Sequence, residues 1–314
     1  MREQRDYQLF HGDAFCWLRQ RRTRSIHAVV TDPPYGVLEY TPEELEKRRN
    51  GNGGIWRLPH SYDGCARRPM PRFTVLRPSD HEVISEFHSR LAPLLLRVLV
   101  PGGHVVMASQ NLVSHIAVTA FCKAGFELRG TIVRMVKTLR GGDRPKGAHD
   151  AYPEVSVTPR SGWEPWIIFR KPCEGRVRDN LKRWGTGGLR RPEVATPFSD
   201  MIQCGPARGR ERDIADHPSL KPQALMRQLV RAALPLGKGV ILDPFMGSGS
   251  TVAAAAALGL RSIGIELNAE YYHLAEKAIP RLAALCIPGN ACVASHRTAR
   301  SPLGRHGRAI LQSS

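Results

Sequence analysis

The feature that most constrains this chain is an apolar strand, a glycine-rich turn and a helix that follow one another after residue 239. The strand Gly239-Val240-Ile241-Leu242 leads into a turn from Asp243 to Ser250, and an alanine-rich helix begins at Thr251. Glycines let the backbone approach a ligand closely, and the free N–H groups at the start of a helix offer hydrogen-bond donors. This order of elements is the first half of a nucleotide-binding βαβ unit, so the sequence predicts an α/β fold.

The residues around this turn narrow the choice of ligand. Glu266 comes at the end of the next predicted strand, where its carboxylate can accept both hydroxyl groups of a ribose. The turn is not the G-x-G-x-x-G of dinucleotide enzymes, because Phe245 and Met246 fill the space that a pyrophosphate would need. A nicotinamide oxidoreductase is therefore disfavoured. The acidic Asp243 instead suits a ligand with a cationic part, such as the sulfonium of S-adenosylmethionine.

A second signal is the tetrapeptide Asp32-Pro33-Pro34-Tyr35, which ends the apolar strand at residues 27–31. Pro34 holds Pro33 in an extended conformation, and neither proline has a backbone N–H. The carbonyl of Pro33 can then point outward beside the carboxylate of Asp32. Two adjacent acceptors suit an exocyclic amino group, and Tyr35 offers a ring on which a planar base can stack.

These residue types fit the methylation of a base amino group. The amino nitrogen of adenine or cytosine is conjugated into its ring and is a poor nucleophile. Hydrogen bonds from its two N–H groups to Asp32 and Pro33 would favour a pyramidal nitrogen with a localised lone pair. Orientation and electrostatics would then aid in-line attack on a sulfonium methyl group. The base must first leave the duplex, and Tyr35 would stack on it once it is flipped out.

Taken together, the motifs resemble those of amino-methylating DNA methyltransferases, which act on adenine N6 or cytosine N4. The order of the motifs is that of the permuted (beta-type) group, in which the catalytic motif precedes the cofactor motif. Three further segments match the family, and they are Gly12-Asp13-Ala14, His217-Pro218-Ser219-Leu220-Lys221-Pro222 and Gly264-Ile265-Glu266-Leu267-Asn268. An Asp at the first position of the catalytic motif is commoner for adenine in this family, and cytosine N4 remains the alternative.

The resemblance implies roles for individual residues. The implied catalytic residues are Asp32, Pro33, Pro34 and Tyr35. The implied S-adenosylmethionine-binding residues are Asp13, Ala14, Lys221, Asp243, Pro244, Phe245, Gly247, Ser248, Gly249, Ser250, Thr251, Glu266 and Asn268. For Lys221 the sequence leaves two roles open, a cap on a neighbouring strand or a contact to the cofactor. No metal site is predicted.

The charge of the chain fits a nucleic-acid partner. The 314 residues carry 46 Lys and Arg against 28 Asp and Glu, a formal net charge of +18, and only 9 of the cations are Lys. A surplus of this size points to a polyanion, and arginine suits forked contacts to phosphates and base edges. The resemblance implies that residues 171–216, together with the loop at 138–162, read double-stranded DNA. The DNA-binding candidates are Arg176, Arg178, Lys182, Arg183, Trp184, Arg190 and Arg191. Trp163 and Trp166 are expected in the core.

The resemblance also predicts the organisation of the chain. It implies a Rossmann-like sheet of seven strands, mostly parallel with one antiparallel strand, in a circularly permuted order. Residues 1–170 would form the catalytic half, with an irregular insertion at 37–78. Residues 171–216 would form a small irregular target-recognition segment, and 217–286 the cofactor half. The basic tail at 287–314 is expected to be disordered.

Composition and the termini bear on the remaining classes. The apolar runs are too short to span a bilayer, the N-terminus has no signal core, and the seven cysteines form no C-x-x-C pair. We therefore expect a cytoplasmic protein of a bacterial or phage-infected cell that does not associate with a membrane. A homodimer and a cognate restriction endonuclease are left open as partners. A non-catalytic DNA-binding scaffold is the alternative from another class, although it would be expected to lose Asp32 or Glu266, and both are present.

Overall fold

The computed structural model describes residues 6–34, 78–140 and 145–287, apart from residues 146, 149, 158 and 160. The predicted insertion at 37–78 (except its last residue), the basic tail (except its first residue) and Tyr35 lie outside these residues. In the part of the chain that the structure describes, no helix is both long and apolar enough to cross a bilayer.

The described chain forms one sheet of eight strands with helices on both faces. The strands are β1 (Tyr7–His11), β2 (Ile26–Thr31), β3 (Leu99–Ala108), β4 (Glu127–Arg140), β5 (Ser161–Arg170), β6 (Met201–Gln203), β7 (Val240–Asp243) and β8 (Arg261–Glu266). The helices are α1 (Ala14–Gln20), α2 (Pro78–Val98), α3 (Ser114–Lys123), α4 (Val177–Trp184), α5 (Arg210–Ile214), α6 (Gln223–Ala233), α7 (Ser250–Ala257) and α8 (Ala269–Ala283).

The strand order is β1-β8-β7-β2-β3-β5-β4-β6, and only β5 runs antiparallel to its neighbours. The mostly parallel α/β sheet with one antiparallel strand is thus as predicted. The eighth strand is the difference. It is the three-residue β6, which pairs with β4 from within residues 171–216, where the sequence shows no period-2 pattern. A strand this short gives too few alternating positions to be recognised.

The core lies on both faces of the sheet because side chains of a strand alternate between faces. In β2, Val29 packs into the layer under α1, α2 and α3, whereas Val30 packs into the layer under α6 and α7. Both faces are apolar, which explains why the central strands read as continuous hydrophobic runs. A third cluster joins α7 to α8 through Ala253 and Ile279.

The sheet has two edges at which loops emerge, and the distinction between them matters below. We call the side where the parallel strands end the carboxyl edge, and the side where they begin the amino edge. β2, β7 and β8 deliver Asp32, Asp243 and Glu266 to the carboxyl edge. Because β5 is antiparallel, it starts at the carboxyl edge with Ser161 and ends at the amino edge with Arg170.

Candidate active site

The two predicted motifs meet because β2 and β7 are neighbours in the sheet. Asp32 follows the last residue of β2, and Asp243 is the last residue of β7. The hydroxyl of Thr31 donates to Oδ1 of Asp243 at 2.7 Å, a buried bond between residues 212 positions apart. In α/β folds with a parallel sheet, ligands bind at the carboxyl ends of the strands, at the point where the strand order reverses.

The carboxyl group of Asp243 is buried, and this changes its titration. Burial raises its pKa to about 6, an effect opposed by hydrogen bonds from Thr251, Thr31 and the backbone N–H of Phe245. The nearby charge of Asp32 raises the pKa further. Burial disfavours the charged form of this carboxyl group, and a positive charge beside it would favour that form.

The turn after β7 needs glycine at two positions. Gly247 and Gly249 have φ values of +51° and +84°, in the left-handed region. A Cβ on Gly249 would lie 2.5 Å from Cγ1 of Ile279 in α8, and one on Gly247 would lie 3.0 Å from the imidazole ring of His217. The turn is therefore packed on one side and brings bare backbone to the other.

Glu266 joins this turn to the end of β8. Its carboxylate accepts from the backbone N–H of Gly247 at 2.9 Å and from that of Asn268 at 2.8 Å. The side chain of Asn268 caps α8 by accepting from the N–H of Tyr271. The carboxylate is held at the mouth of the turn, in the position from which it can accept the hydroxyls of a ribose.

Asp13 and Ala14 reach the same place from the edge strand β1. Gly12 donates its N–H to the carbonyl of Glu266 at 2.9 Å, and Asp13 caps α1 by accepting from the N–H of Cys16 at 2.7 Å. Both candidates therefore follow the strand end that pairs with Glu266, and their contact with the cofactor stays a prediction.

A small pocket of about 40 Å³ lies between these strand ends. It is lined by Asp32, His217, Ser219, Lys221, Met226, Asp243, Phe245, Met246, Gly247, Ser248, Ser250 and Thr251. The lining combines residues of the catalytic motif, the cofactor turn and the segment before α6.

Lys221 lines this pocket, and both roles that the sequence left open for it stay predictions. Its ammonium lies 3.0 Å from Oδ2 of Asp32 and 2.5 Å from Oε1 of Glu164, and 5.8 Å from the ring centroid of the buried Trp166. Burial alone would lower the pKa of Lys221, but the two carboxylates outweigh it and raise the pKa above the usual value. The ammonium therefore stays charged and bridges Asp32 to β5.

Sequence reasoning missed Glu164 and its second partner, Arg134. The Arg134 guanidinium lies 2.5 Å from Oε2 of Glu164 and also donates to the carbonyls of Cys204 and Gly205. Arg134 has only 4% of its side chain exposed and Glu164 12%. We call Asp32, Lys221, Glu164 and Arg134 the charge chain; its two carboxylates and two cations balance. The only sequence signal for this pair is that each of two predicted β-strands contains a charged residue, Arg134 in one and Glu164 in the other.

The catalytic motif itself is described only in part. Pro33 is buried and Pro34 exposed, immediately after β2. Tyr35 lies outside the described residues, so its predicted stacking role stays a prediction.

The structure does not bring the predicted DNA-binding residues to this site. They follow the antiparallel β5, so the chain carries them to the amino edge, where Asn180 of α4 donates to the carbonyl of Pro101 near the start of β3. The indole N–H of Trp184 donates to Glu174, and the Arg24 and Arg183 guanidinium groups lie 5.7 and 5.3 Å from the Trp184 ring. Trp184 is thus engaged within the protein.

The expectation for the other two tryptophans is half correct. Trp166 is fully buried in the core, whereas 42% of Trp163 is exposed at the start of β5, on the catalytic side of the sheet. The prediction for Trp163 was wrong because the first residues of β5 extend beyond the helices that cover its middle.

The fold and these strand ends define a class of protein, the DNA amino-methyltransferases. A family model described as DNA methylase, of the N6 and N4 type, matches residues 26–277. The chain belongs to this family, and its methyl donor is S-adenosylmethionine. The catalytic strand precedes the cofactor strand along the chain, which is compatible with the permuted group.

Individual relatives include enzymes from two bacteria. The chain is 46% identical over 279 residues to the DNA adenine methyltransferase YhdJ of Escherichia coli K12, covering 84% of this chain and 79% of YhdJ. It is 24% identical over 299 residues to the type II methyltransferase M.HindIII of Haemophilus influenzae, covering 85% of this chain and 93% of that one.

Solved structures confirm the class I methyltransferase fold. One is a protein of Thermus thermophilus, titled a DNA modification methylase and complexed with S-adenosyl-L-methionine, with a TM-score of 0.54 and 22% identity over 90% of this chain and 97% of that one. Another is the cytosine-N4-specific PvuII DNA methyltransferase, with a TM-score of 0.57 and 13% identity over 88% of this chain and 91% of that one.

Proposed function

We propose that this protein methylates the N6 amino group of adenine in double-stranded DNA, at a specific site. The observation that carries the proposal is the position of Asp32, which lies at a strand end next to the cofactor strand and is held by Lys221 at 3.0 Å. The 46% identity to a DNA adenine methyltransferase favours adenine over cytosine.

The site fits the cofactor on its own geometry. Gly249 leaves no room for a side chain on its packed side, the carboxylate of Glu266 sits at the mouth of the turn, and Asp243 is a buried acid. Glu266 would hold the ribose of S-adenosylmethionine, and Asp243 would favour its positive charge. When bound, S-adenosylmethionine supplies an electrophilic methyl group.

The chain's own residues prepare the base. Lys221 approaches Oδ2 of Asp32, and we assign the Asp32 carboxylate as the acceptor of one N–H of the adenine amino group. The carbonyl of Pro33 would accept the other N–H. Two acceptors in a fixed geometry draw the nitrogen towards a pyramidal form and aim its lone pair, a contribution of orientation and preorganised electrostatics. A flipped adenine would be stacked by Tyr35.

The segments that reach the carboxyl edge are the ones suited to reading the target sequence. These are the loop after β4, at residues 145–160, and residues 204–216, which follow β6. The segment after β6 emerges beside the charge chain, because Arg134 of β4 donates to the carbonyls of Cys204 and Gly205. The exposed Trp163 borders the first of these segments.

The test is mass spectrometry of nucleosides from unmethylated DNA of diverse sequence, incubated with the protein and S-adenosylmethionine. We expect N6-methyladenine. Asp32→Ala should abolish it while cofactor binding is retained, whereas Asp200→Ala, which removes an exposed aspartate beside β6, should leave it unchanged. N4-methylcytosine would keep the mechanism and change the base. Cofactor binding without a methylated nucleoside would contradict the proposal and favour a scaffold.

A further inference from the structure

A strongly basic surface lies on the side of the sheet opposite the active site. It is formed by the loop before β2, residues 21–25, and by the segment after β5, residues 171–192; we call it the amino-edge surface. These two segments are joined by an ion pair of 2.7 Å between Arg24 and Glu174. They also meet where the guanidinium of Arg24 lies over the ring of Trp184.

The amino-edge surface carries ten cations and two acids, a net charge of 10 − 2 = +8 within 27 residues. The cations are Arg21, Arg22, Arg24, Lys171, Arg176, Arg178, Lys182, Arg183, Arg190 and Arg191, and the acids are Glu174 and Asp179. Arg178 and Arg183 each have 69% of their side chains exposed, and Arg24 has 48%. Seven of the ten cations are exposed to solvent, and Arg21, Lys171 and Arg190 are half-buried.

The backbone that displays these cations is fixed to the sheet. Asn180 donates to the carbonyls of Pro101 and Thr186, and the Thr186 hydroxyl also donates to that of Pro101 at 2.6 Å. A Cβ on Gly102 would collide with Asn180 and touch Gly187. Packing this close gives α4 a defined position, with its basic residues facing outward.

Like charges are crowded at this edge. Lys171 is partly buried, and burial together with the charge of Arg24 lowers its pKa. Arg231, whose guanidinium donates to the carbonyls of Arg191 and Pro192, has its pKa lowered by burial and by the charge of Arg190. Crowded cations repel one another, and an anion shared among them relieves the repulsion.

The sheet separates this surface from the catalytic residues. The six residues of β2 span about 20 Å at roughly 3.3 Å per residue. The two edges also face in opposite directions. A straight duplex that presents a base to Asp32 lies across the carboxyl edge and does not touch α4.

We propose that the amino-edge surface binds the phosphates of a second DNA segment, independently of the duplex that enters the active site. DNA is taken as the partner on the strength of the proposed function. Exposed arginines and lysines on a firm backbone match the closely spaced charges of a duplex, and such contacts depend on salt rather than on base sequence. The surface would let one molecule hold a neighbouring stretch of DNA while it methylates another.

The test is the stoichiometry and salt dependence of binding of the full chain to a short DNA duplex. The demethylated product of S-adenosylmethionine is present, so that no methyl transfer takes place. The test variant is Arg178→Glu with Lys182→Glu, on α4. The control is Arg90→Glu with Lys277→Glu, exposed cations on α2 and α8 that change the net charge equally. We expect two duplexes per chain for the wild type and the control, and one for the test variant.

The salt slope and the turnover complete the experiment. Each lost phosphate contact lowers the slope of log affinity against log salt by about 0.9, so the summed slope of the test variant should fall by about 1.8 or more. Its kcat and KM on a short target duplex should match those of the control. Unfolding midpoints equal to the wild type would show that α4 is intact.

Two other outcomes overturn the inference, and a third bears on the proposed function instead. One duplex per chain with a raised KM in the test variant would mean that the surface touches the target duplex, directly or by wrapping it. If the wild type binds one duplex per chain and the test variant binds it with the same affinity, the charges of the amino-edge surface are merely solvated. Two duplexes per chain without any methylated nucleoside would leave the inference standing and contradict the proposed function instead.

Discussion

At the scale of single residues, the charge chain explains how a lysine can lie between two acids without being neutralised. Lys221 is buried, and it stays protonated because Asp32 and Glu164 both face it. Arg134 in turn balances Glu164. The charge chain couples Asp32, the proposed catalytic residue, to β5 on the far side of β3.

Replacing Glu164 by Gln should shift the alkaline limit of activity. Without this carboxylate, burial of Lys221 is opposed only by Asp32, so the pKa of Lys221 falls and the ammonium is lost at lower pH. We expect kcat to fall about tenfold, with its alkaline limb moved to lower pH and KM for cofactor little changed. The measurement is the pH profile of kcat.

Glu127→Gln is the matched control for that variant. It removes a carboxylate from a second Glu–Arg pair between β4 and β5, the pair with Arg170 at the opposite end of the same strands. An alkaline limb that moves equally in both variants would contradict the assignment. Glu164→Asp, which keeps the charge, should restore part of the wild-type profile.

The affinity for S-adenosylmethionine should depend on the protonation of Asp243. Its pKa of about 6 in the ligand-free protein means that the carboxyl is neutral below that pH and charged above it. A positive ligand favours the charged form, so Kd should rise as the pH falls through about 6, by up to about tenfold per pH unit. Calorimetric titration of wild type and Asp243→Asn between pH 5 and 8 tests this, since the variant should bind weakly with no such dependence.

At the scale of elements, the contact between α7 and α8 shapes the cofactor turn. Gly249 precedes α7 with a φ of +84°, and Ile279 of α8 lies against it. The turn can approach a ligand closely because its other side is filled.

Changing Gly249 to Ala should destabilise the protein by more than conformational strain alone. A left-handed φ costs a non-glycine residue about 1–2 kcal/mol, and overpacking costs about a further 1–3 kcal/mol. Gly259→Ala is the control, because Gly259 has a φ of +64° and open space where a Cβ would stand. Urea unfolding should show the larger loss for Gly249→Ala, together with weaker cofactor binding. Equal losses would mean that Ile279 moves aside freely.

At the scale of the whole molecule, two buried histidines make the stability depend on pH. Burial lowers the pKa of His88 to about 4 and that of His104, with help from Arg170 and Arg129, to about 3. Both are neutral in the fold, whereas the unfolded chain binds protons at about pH 6.5. Stability is therefore full above that pH and is lost as the pH falls from about 6.5 towards 4.

The size of the loss can be measured by urea unfolding at pH 7.5 and pH 5. Each histidine contributes about 2 kcal/mol between pH 6.5 and 5, from about 1.4 kcal/mol per pH unit. His88→Leu should flatten the dependence by its share, whereas His81→Leu, at an exposed position, should leave it unchanged. An unchanged pH dependence in His88→Leu would contradict the assignment.

The sequence allowed the sheet class and the two strand ends of the site to be predicted because their signals are local. Asp32-Pro33-Pro34 and the turn from Asp243 to Gly249 are contiguous, and each residue type has a reason within its own segment. Glu164 and Lys221 are 57 positions apart, and only the pairing of strands brings them within 2.5 Å. The location of α4 follows from the direction of β5. Because the strand before residue 171 is antiparallel, the segment after it starts at the amino edge.

The antiparallel β5 also has a consequence for spacing. Glu164 near its start belongs to the charge chain, and Lys171 just after its end begins the amino-edge surface. The seven residue steps from Glu164 to Lys171, at about 3.4 Å each, place the carboxyl edge and the amino edge roughly 24 Å apart. If the carboxyl edge and the amino-edge surface both hold DNA, the length of β5 sets how near two DNA segments can lie on the same molecule.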